Sequence, residues 1–176
     1  MRLSRWIGRT AAAVACAAAL GGCATYQAVG MYPERNEVLV GTVNADLMAG
    51  GSNFTLTGRT TGLACEGSTD VTRVTMSLSC QGQSGNVNAT CSDGTILRGH
   101  WYATSCTTGF GYGIDSHGNK LTFRFGLSDG QVKAQVASDE KALAIMRARE
   151  RAAERPQVPA QTTPNHPATE PGSQAL

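Results

Sequence analysis

The sequence predicts a mainly β protein: a small antiparallel meander of about eight or nine strands, closed as a barrel or folded as a sandwich, with two disulfides, then a C-terminal helix and a disordered tail. Three observations carry this expectation. Alternating apolar and polar residues recur in short runs between residues 37 and 137, most clearly Val74, Met76, Leu78 and Cys80 against Arg73, Thr75, Ser77 and Ser79. Glycine, asparagine, aspartate and serine break these runs at hairpin-like intervals. Four cysteines, Cys65, Cys80, Cys91 and Cys106, fall inside the same stretch.

The first segment is a sorting signal by its chemistry. Arg2, Arg5 and Arg9 precede an apolar, alanine-dominated stretch from Thr10 to Leu20. At about a dozen residues it suits a signal-peptide core and is too short to cross a bilayer as a helix. The following Leu20-Gly21-Gly22-Cys23 resembles a bacterial lipobox. The resemblance implies cleavage before Cys23, a diacylglycerol on its thiol and, usually, a fatty acid such as palmitate on the new amino group. The rival Ala13-Val14-Ala15-Cys16 would leave too short an apolar stretch. In similar lipoproteins an aspartate after the cysteine often marks inner-membrane retention, so Ala24 points to the outer membrane and a periplasm-facing domain.

Removing residues 1–22 takes away three arginines and leaves a net charge of −1. A near-neutral chain has no electrostatic case for nucleic acid, nor a polybasic patch for anionic lipid. With Cys16 removed and Cys23 lipidated, the remaining four cysteines are an even set in an exported chain, for which disulfides are the default. Three connectivities are open; the simplest pairs Cys65 with Cys80 and Cys91 with Cys106. Their spacing does not match a zinc knuckle, so no metal and no cofactor is expected.

Residues 23–36 read as a lipidated tether, and 37–137 as the β domain. Val38-Leu39-Val40 begins a strand apolar on both faces, and Phe54 and Leu56 alternate with threonines. Leu97, Gly99, Trp101 and Ala103 share one face against Arg98, His100 and Tyr102. Leu121, Phe123, Phe125 and Leu127 share another, and Val132, Ala134 and Val136 read as a last strand. Asp93-Gly94 suits a tight hairpin, and Ser116–Asn119 and Ser128-Asp129-Gly130 read as turns. Ser138 can serve as an N-cap, with acids after it and arginines later, so a helix is expected over 138–155. Five prolines from Pro156 to Pro171 mark 156–176 as the disordered tail.

For chemistry the chain offers little. There is no G-x-S-x-G, no phosphate loop and no H-E-x-x-H. His100, beside Trp101 and Tyr102, is the one histidine a small hydrolase would use, but no nucleophile or carboxylate is spaced to serve it. The Gly109–Gly113 run alternates glycine with Phe110 and Tyr112; with His117 in the next turn, these form the candidate binding surface. The expected function is a non-enzymatic envelope lipoprotein, a binding or assembly accessory meeting an envelope protein or peptidoglycan. The alternative is an inhibitor or ligand-binding module, similar in architecture to small disulfide-bonded barrel lipoproteins that inhibit lysozyme.

Overall fold

Eight strands follow one another in a computed structural model that describes residues 24–46, 51–75 and 80–154. The signal segment, Cys23, Met76, Leu78 and the tail expected over 156–176 lie outside the described residues. The strands are β1 (Ala24–Tyr32), β2 (Glu37–Asp46), β3 (Gly51–Gly58), β4 (Ala64–Thr69), β5 (Ser84–Cys91), β6 (Ile96–Ala103), β7 (Gly109–Asp115) and β8 (Lys120–Leu127). Each pairs antiparallel with the next, and β8 returns to β1, so the sheet closes into a barrel. Closure removes the exposed edges that an open meander would leave.

Side-chain alternation fills the barrel with apolar groups. Ala28, Leu39, Phe54, Leu56, Val87, Ala89, Leu97 and Leu121 are buried inside, while Thr57, Glu66, Asn88, Thr90 and Arg98 face out and are exposed. The β7 glycines belong to this inward set. A Cβ on Gly111 would lie 2.1 Å from Phe123 Cζ and 2.5 Å from the His100 carbonyl oxygen, so the glycine makes room for the β8 ring.

Within the tether expected over 23–36, the described residues 24–36 belong to the barrel. Tyr26, Ala28 and Tyr32 line the interior or its core, whereas Val29 and Met31 face outward into a second apolar cluster. With both faces covered, β1 shows no clean apolar–polar alternation, which is why its sequence reads as linker. Residues Pro33–Arg35 add a 3-10 turn before β2.

The outer cluster belongs to α1 (Asp129–Glu154). The helix starts nine residues before the expected Ser138, and Val132, Ala134 and Val136 are helical, not a strand. Ser128 and Gln131 supply one half of a capping box, the Ser128 backbone N–H donating to Gln131 Oε1 at 2.9 Å and its hydroxyl to the same atom at 2.9 Å. The same residues mimic a turn in the sequence. Val132, Val136 and Leu143 then share one helical face and pack on Val29, Val38, Val40 and Leu127. Leu127 is turned to this side by a β-bulge after Phe125: Gly126 has φ +77°, and a Cβ there would lie 2.0 Å from the Thr107 carbonyl. Leu127 therefore leaves the face expected of it.

The run from Arg73 to Cys80 is not a strand among its described residues. Arg73 makes one isolated bridge to Ser84, and Val74 is 73% exposed. The disulfides join Cys65 to Cys91 and Cys80 to Cys106, not the sequential pairs. Register decides this: Cys65 stands directly opposite Cys91 on β4 and β5, with Cα atoms 3.9 Å apart. The Asp93-Gly94 hairpin forms between β5 and β6 with Gly94 at φ +82°.

Candidate functional site

The two ends of the barrel differ. At one end the β1–β2, β5–β6 and β7–β8 turns are tied together by a polar cluster. Asp115, whose side chain is fully buried, accepts hydrogen bonds from the Tyr32 hydroxyl, the Asn119 backbone N–H (2.9 Å), Asn119 Nδ2 (2.8 Å) and the His117 backbone N–H (2.7 Å). Burial opposes the Asp115 charge, but these donors outweigh it and hold its carboxyl well below the usual range. Burial, and then the hydrogen bond to Asp115, push the Tyr32 hydroxyl above its ordinary pKa. Arg35 lies 5.2 Å over the Tyr32 ring, bonds Asp93 at 2.5 Å and donates to Thr95 Oγ1 at 2.6 Å. The hydrogen bond from Arg35 keeps the Asp93 carboxyl low. Beside them, buried Glu37 accepts the Thr60 and Thr61 backbone N–H groups at 2.8 and 2.9 Å. These paired groups close this end, with Asn36 Oδ1 the one buried side-chain acceptor there left without a hydrogen bond among the described residues.

Among the described residues the other end is open; residues 47–50 and 76–79, which belong to connections at this end, lie outside them. From this end a cavity of about 440 Å³ runs down the barrel axis, with Leu56, Leu97 and Leu121 at its floor. Tyr26, Val43, Phe54, Val87, Trp101, Phe123 and Phe125 form the walls, and Ser52, Thr69, Gln83, Ser105 and Thr107 stand toward the mouth. That volume falls within the range of small-molecule sites, and an apolar wall with a few polar groups at one end is their usual composition. An eight-stranded barrel is just wide enough to enclose one small ligand.

Trp101 is the chemical centre of the wall. Its indole N–H donates to the Asp70 carbonyl at 2.9 Å, and its ring meets Phe125 edge-on with centroids 6.2 Å apart. Gly85, opposite it on β5, leaves the space that lets the chain at Asp70 cross the rim. The Asp70 carboxylate in turn receives the Asn86 backbone N–H at 2.7 Å, which holds its pKa down. The Cys80–Cys106 bridge staples the β4–β5 and β6–β7 connections, both of which line the mouth.

The structure brings two of the three predicted surface residues together. Phe110 and Tyr112 are about half exposed on the outer face of β7, and Tyr102 of β6 stacks on both, with centroids 5.7 and 6.1 Å apart. His100 continues this aromatic ladder, 6.1 Å from Tyr112, on the outer wall and not in the cavity. His117 does not join it: it sits in the β7–β8 turn at the closed end, with a side chain 66% exposed beside Asp115. Sequence reasoning found the outward aromatics but no cavity behind the inward residues. The alternation that places Phe123, Phe125 and Trp101 inside was legible; that they line a space depends on closure, which one strand's pattern does not carry.

No protein-family model matches the chain, and no curated protein matches it in sequence. Among solved structures it is similar to a redesigned β-barrel bound to DFHBI, at 15% identity, covering 60% of this chain and 94% of that one with a TM-score of 0.45. It is also similar to a second redesigned β-barrel (16% identity, 61% and 91% covered, TM-score 0.44). A third likeness is a de novo designed fluorescence-activating β-barrel (17% identity, 63% and 97% covered, TM-score 0.43). These likenesses are too distant to bear on function.

Proposed function

We propose that this chain is a non-enzymatic envelope lipoprotein, cleaved before Cys23 and anchored there by lipid to the outer membrane, whose barrel is a ligand-binding module for a small apolar molecule. The observation that carries the binding half is the apolar cavity of about 440 Å³ inside the barrel, open at one end among the described residues. The anchoring half rests on the arginine-rich start, the apolar stretch and Leu20-Gly21-Gly22-Cys23.

Each half has its own test. Mass spectrometry of the chain recovered from bacterial membranes should find an N-terminal peptide beginning at Cys23 and carrying a diacylglycerol; an unmodified Cys23 would sink the anchor. For binding, Trp101 is the sole tryptophan after residue 22 and lies in the wall, so it is a built-in reporter. Titration with an apolar naphthalene dye should change its emission saturably. Val43→Phe and Ala45→Phe, which add bulk to the lining, should weaken binding at least tenfold while keeping the thermal transition. Dye binding that both variants leave unchanged would remove the cavity as the site.

A second reading, an accessory that reaches a protein or peptidoglycan partner, is favoured by the end of α1. Residues 144–154 are exposed throughout and extend about 16 Å at 1.5 Å per residue. Crosslinking in cells should lose its captured partner on truncation after Leu143, and capture that persists would end this reading.

A further inference from the structure

Ala24, the residue that follows Cys23 in the chain, and the mouth of the cavity lie at the same end of the barrel. β1 begins at Ala24, one peptide unit or about 3.8 Å from Cys23, so no flexible spacer separates the anchoring residue from the sheet. Ala24 pairs with Ala45 of β2, and Ala45 lines the cavity near its opening. Pairing of β1 with β8 stops at Gln27, so Ala24–Tyr26 run past the rim on that side, held by β2. The outer surface near this rim is also suited to a membrane interface. Phe110 and Tyr102 form the last outward aromatic pair before the β6–β7 connection, and Arg124 is the register partner of Phe110 on β8. Half-exposed aromatic rings beside a cation are what the headgroup region favours. Helix α1 starts at the same end, where Gln27 bonds Asp129, and its Glu140 meets Arg59 beyond the closed end of β3 at 3.0 Å. The end of α1 therefore lies on the side opposite Ala24.

Resting on the reading of Cys23 as an anchor and of the cavity as a binding site, we propose that the mouth faces the bilayer and that the cavity takes one acyl chain of a membrane lipid. The wall supplies apolar and aromatic contact along a single long axis, while the polar groups near the opening, Ser52, Thr69, Gln83, Ser105 and Thr107, meet the ester or carboxyl end left at the rim. A lipid entering from the membrane keeps its headgroup at the interface, so only its tail changes surroundings. The acyl chains on Cys23 itself are the other source of the same chemistry. To enter, such a chain would fold back over Ala24–Tyr26 and withdraw from the bilayer that it anchors, so the proposal commits to a separate lipid.

The test uses the lipidated mature chain reconstituted into phosphatidylethanolamine–phosphatidylglycerol vesicles whose phospholipid tails carry bromine, which quenches tryptophan only on near contact. Trp101 emission should lose most of its intensity relative to vesicles without bromine. Val43→Phe and Ala45→Phe, sedimenting with the vesicles and melting like the parent, should largely recover it. Free saturated fatty acids should bind the parent more tightly by up to about fourfold per added methylene, equivalent to about 0.8 kcal/mol, until the cavity is full. Unquenched Trp101 in brominated vesicles overturns the proposal, including the case in which Cys23's own chain occupies the cavity. Quenching that persists in both variants overturns it too, because the barrel would then be meeting lipid some other way. If the dye binds in solution and brominated lipid does not quench, this inference fails while the binding site stands. If the dye does not bind, the binding site itself fails.

Discussion

Replacing Asp115 with alanine should unfold the closed end of the barrel before it affects the open one. The carboxylate is fully buried and collects four donors, among them the hydroxyl of Tyr32, which is itself 0% exposed. In Asp115→Ala the Tyr32 hydroxyl and the Asn119 amide lose their acceptor, and Arg35 loses one of the two carboxylates near it. A buried donor left without a partner costs about 1–3 kcal/mol, and two are left here while Arg35 keeps Asp93, so a loss of about 3–5 kcal/mol, in the middle of their summed range, is expected. For a domain of this size that corresponds to a Tm lowered by roughly 12–20 °C. Asp93→Ala is the internal comparison. Asp93 is partly exposed and bonds the same Arg35, and such surface pairs contribute about 0–1 kcal/mol. Thermal unfolding followed by far-ultraviolet circular dichroism, with the disulfides intact, separates the two. If Asp115→Ala lowers Tm no more than Asp93→Ala, the cluster does not hold this end closed. The pH dependence follows with its sign. The Asp115 carboxyl is depressed in the folded state, so its contribution is present above the unfolded aspartate pKa of about 3.9 and is lost as pH falls below it toward the folded value. Asp115→Asn should flatten the part of the acid limb that Asp115 supplies.

Three further outcomes follow from packing. Gly111→Ala places a Cβ against Phe123 and the His100 carbonyl and should cost about 1–3 kcal/mol in urea unfolding; Gly130→Ala, with nothing within 4 Å at the helix start, should be neutral or stabilise by up to about 1 kcal/mol. Replacing Cys65 and Cys91 together by alanine opens a bridge of sequence separation 26 and should cost about 3–4 kcal/mol on the chain-entropy estimate, read as a drop in Tm without loss of β signal. Leu143→Ala, in the helix–barrel contact, should lose about 2–3 kcal/mol in the same assay, whereas Ile145→Ala, 44% exposed, should stay within about 0.5 kcal/mol; equal losses would mean that α1 is not docked as described.

Local alternation was enough to read β3, β6 and most of β8 from the sequence, because one face of each meets the interior and the other meets water. Phe54 and Leu56 are inside, as are Leu97 and Leu121, and the threonines and arginines between them are outside. The reading failed where a strand has two covered faces or a turn has two uses. β1 lies between the cavity and α1, so Val29 and Ala28 are both buried and no alternation survives. Ser128-Asp129-Gly130 has the residues of a turn, yet Gln131 makes it a helix cap. The valines after it favour strands in isolation, but positions 132 and 136 meet the barrel only one helical turn apart.

The order of residues alone determined that this is a chain of short alternating strands with four cysteines inside the β segment and two aromatics alternating with glycines on β7, because period, turn chemistry and cysteine position are local properties. Cysteine pairing, the direction of Leu127 and the existence of a cavity are not local. Strand register put Cys65 opposite Cys91, and a bulge at Gly126 sent Leu127 to the helix. The return of β8 to β1 bent one apolar face into a closed wall. A flat sheet with the same inward residues would have buried them against a second layer. Closed on itself, it leaves a space at one end with Ala24 at its rim.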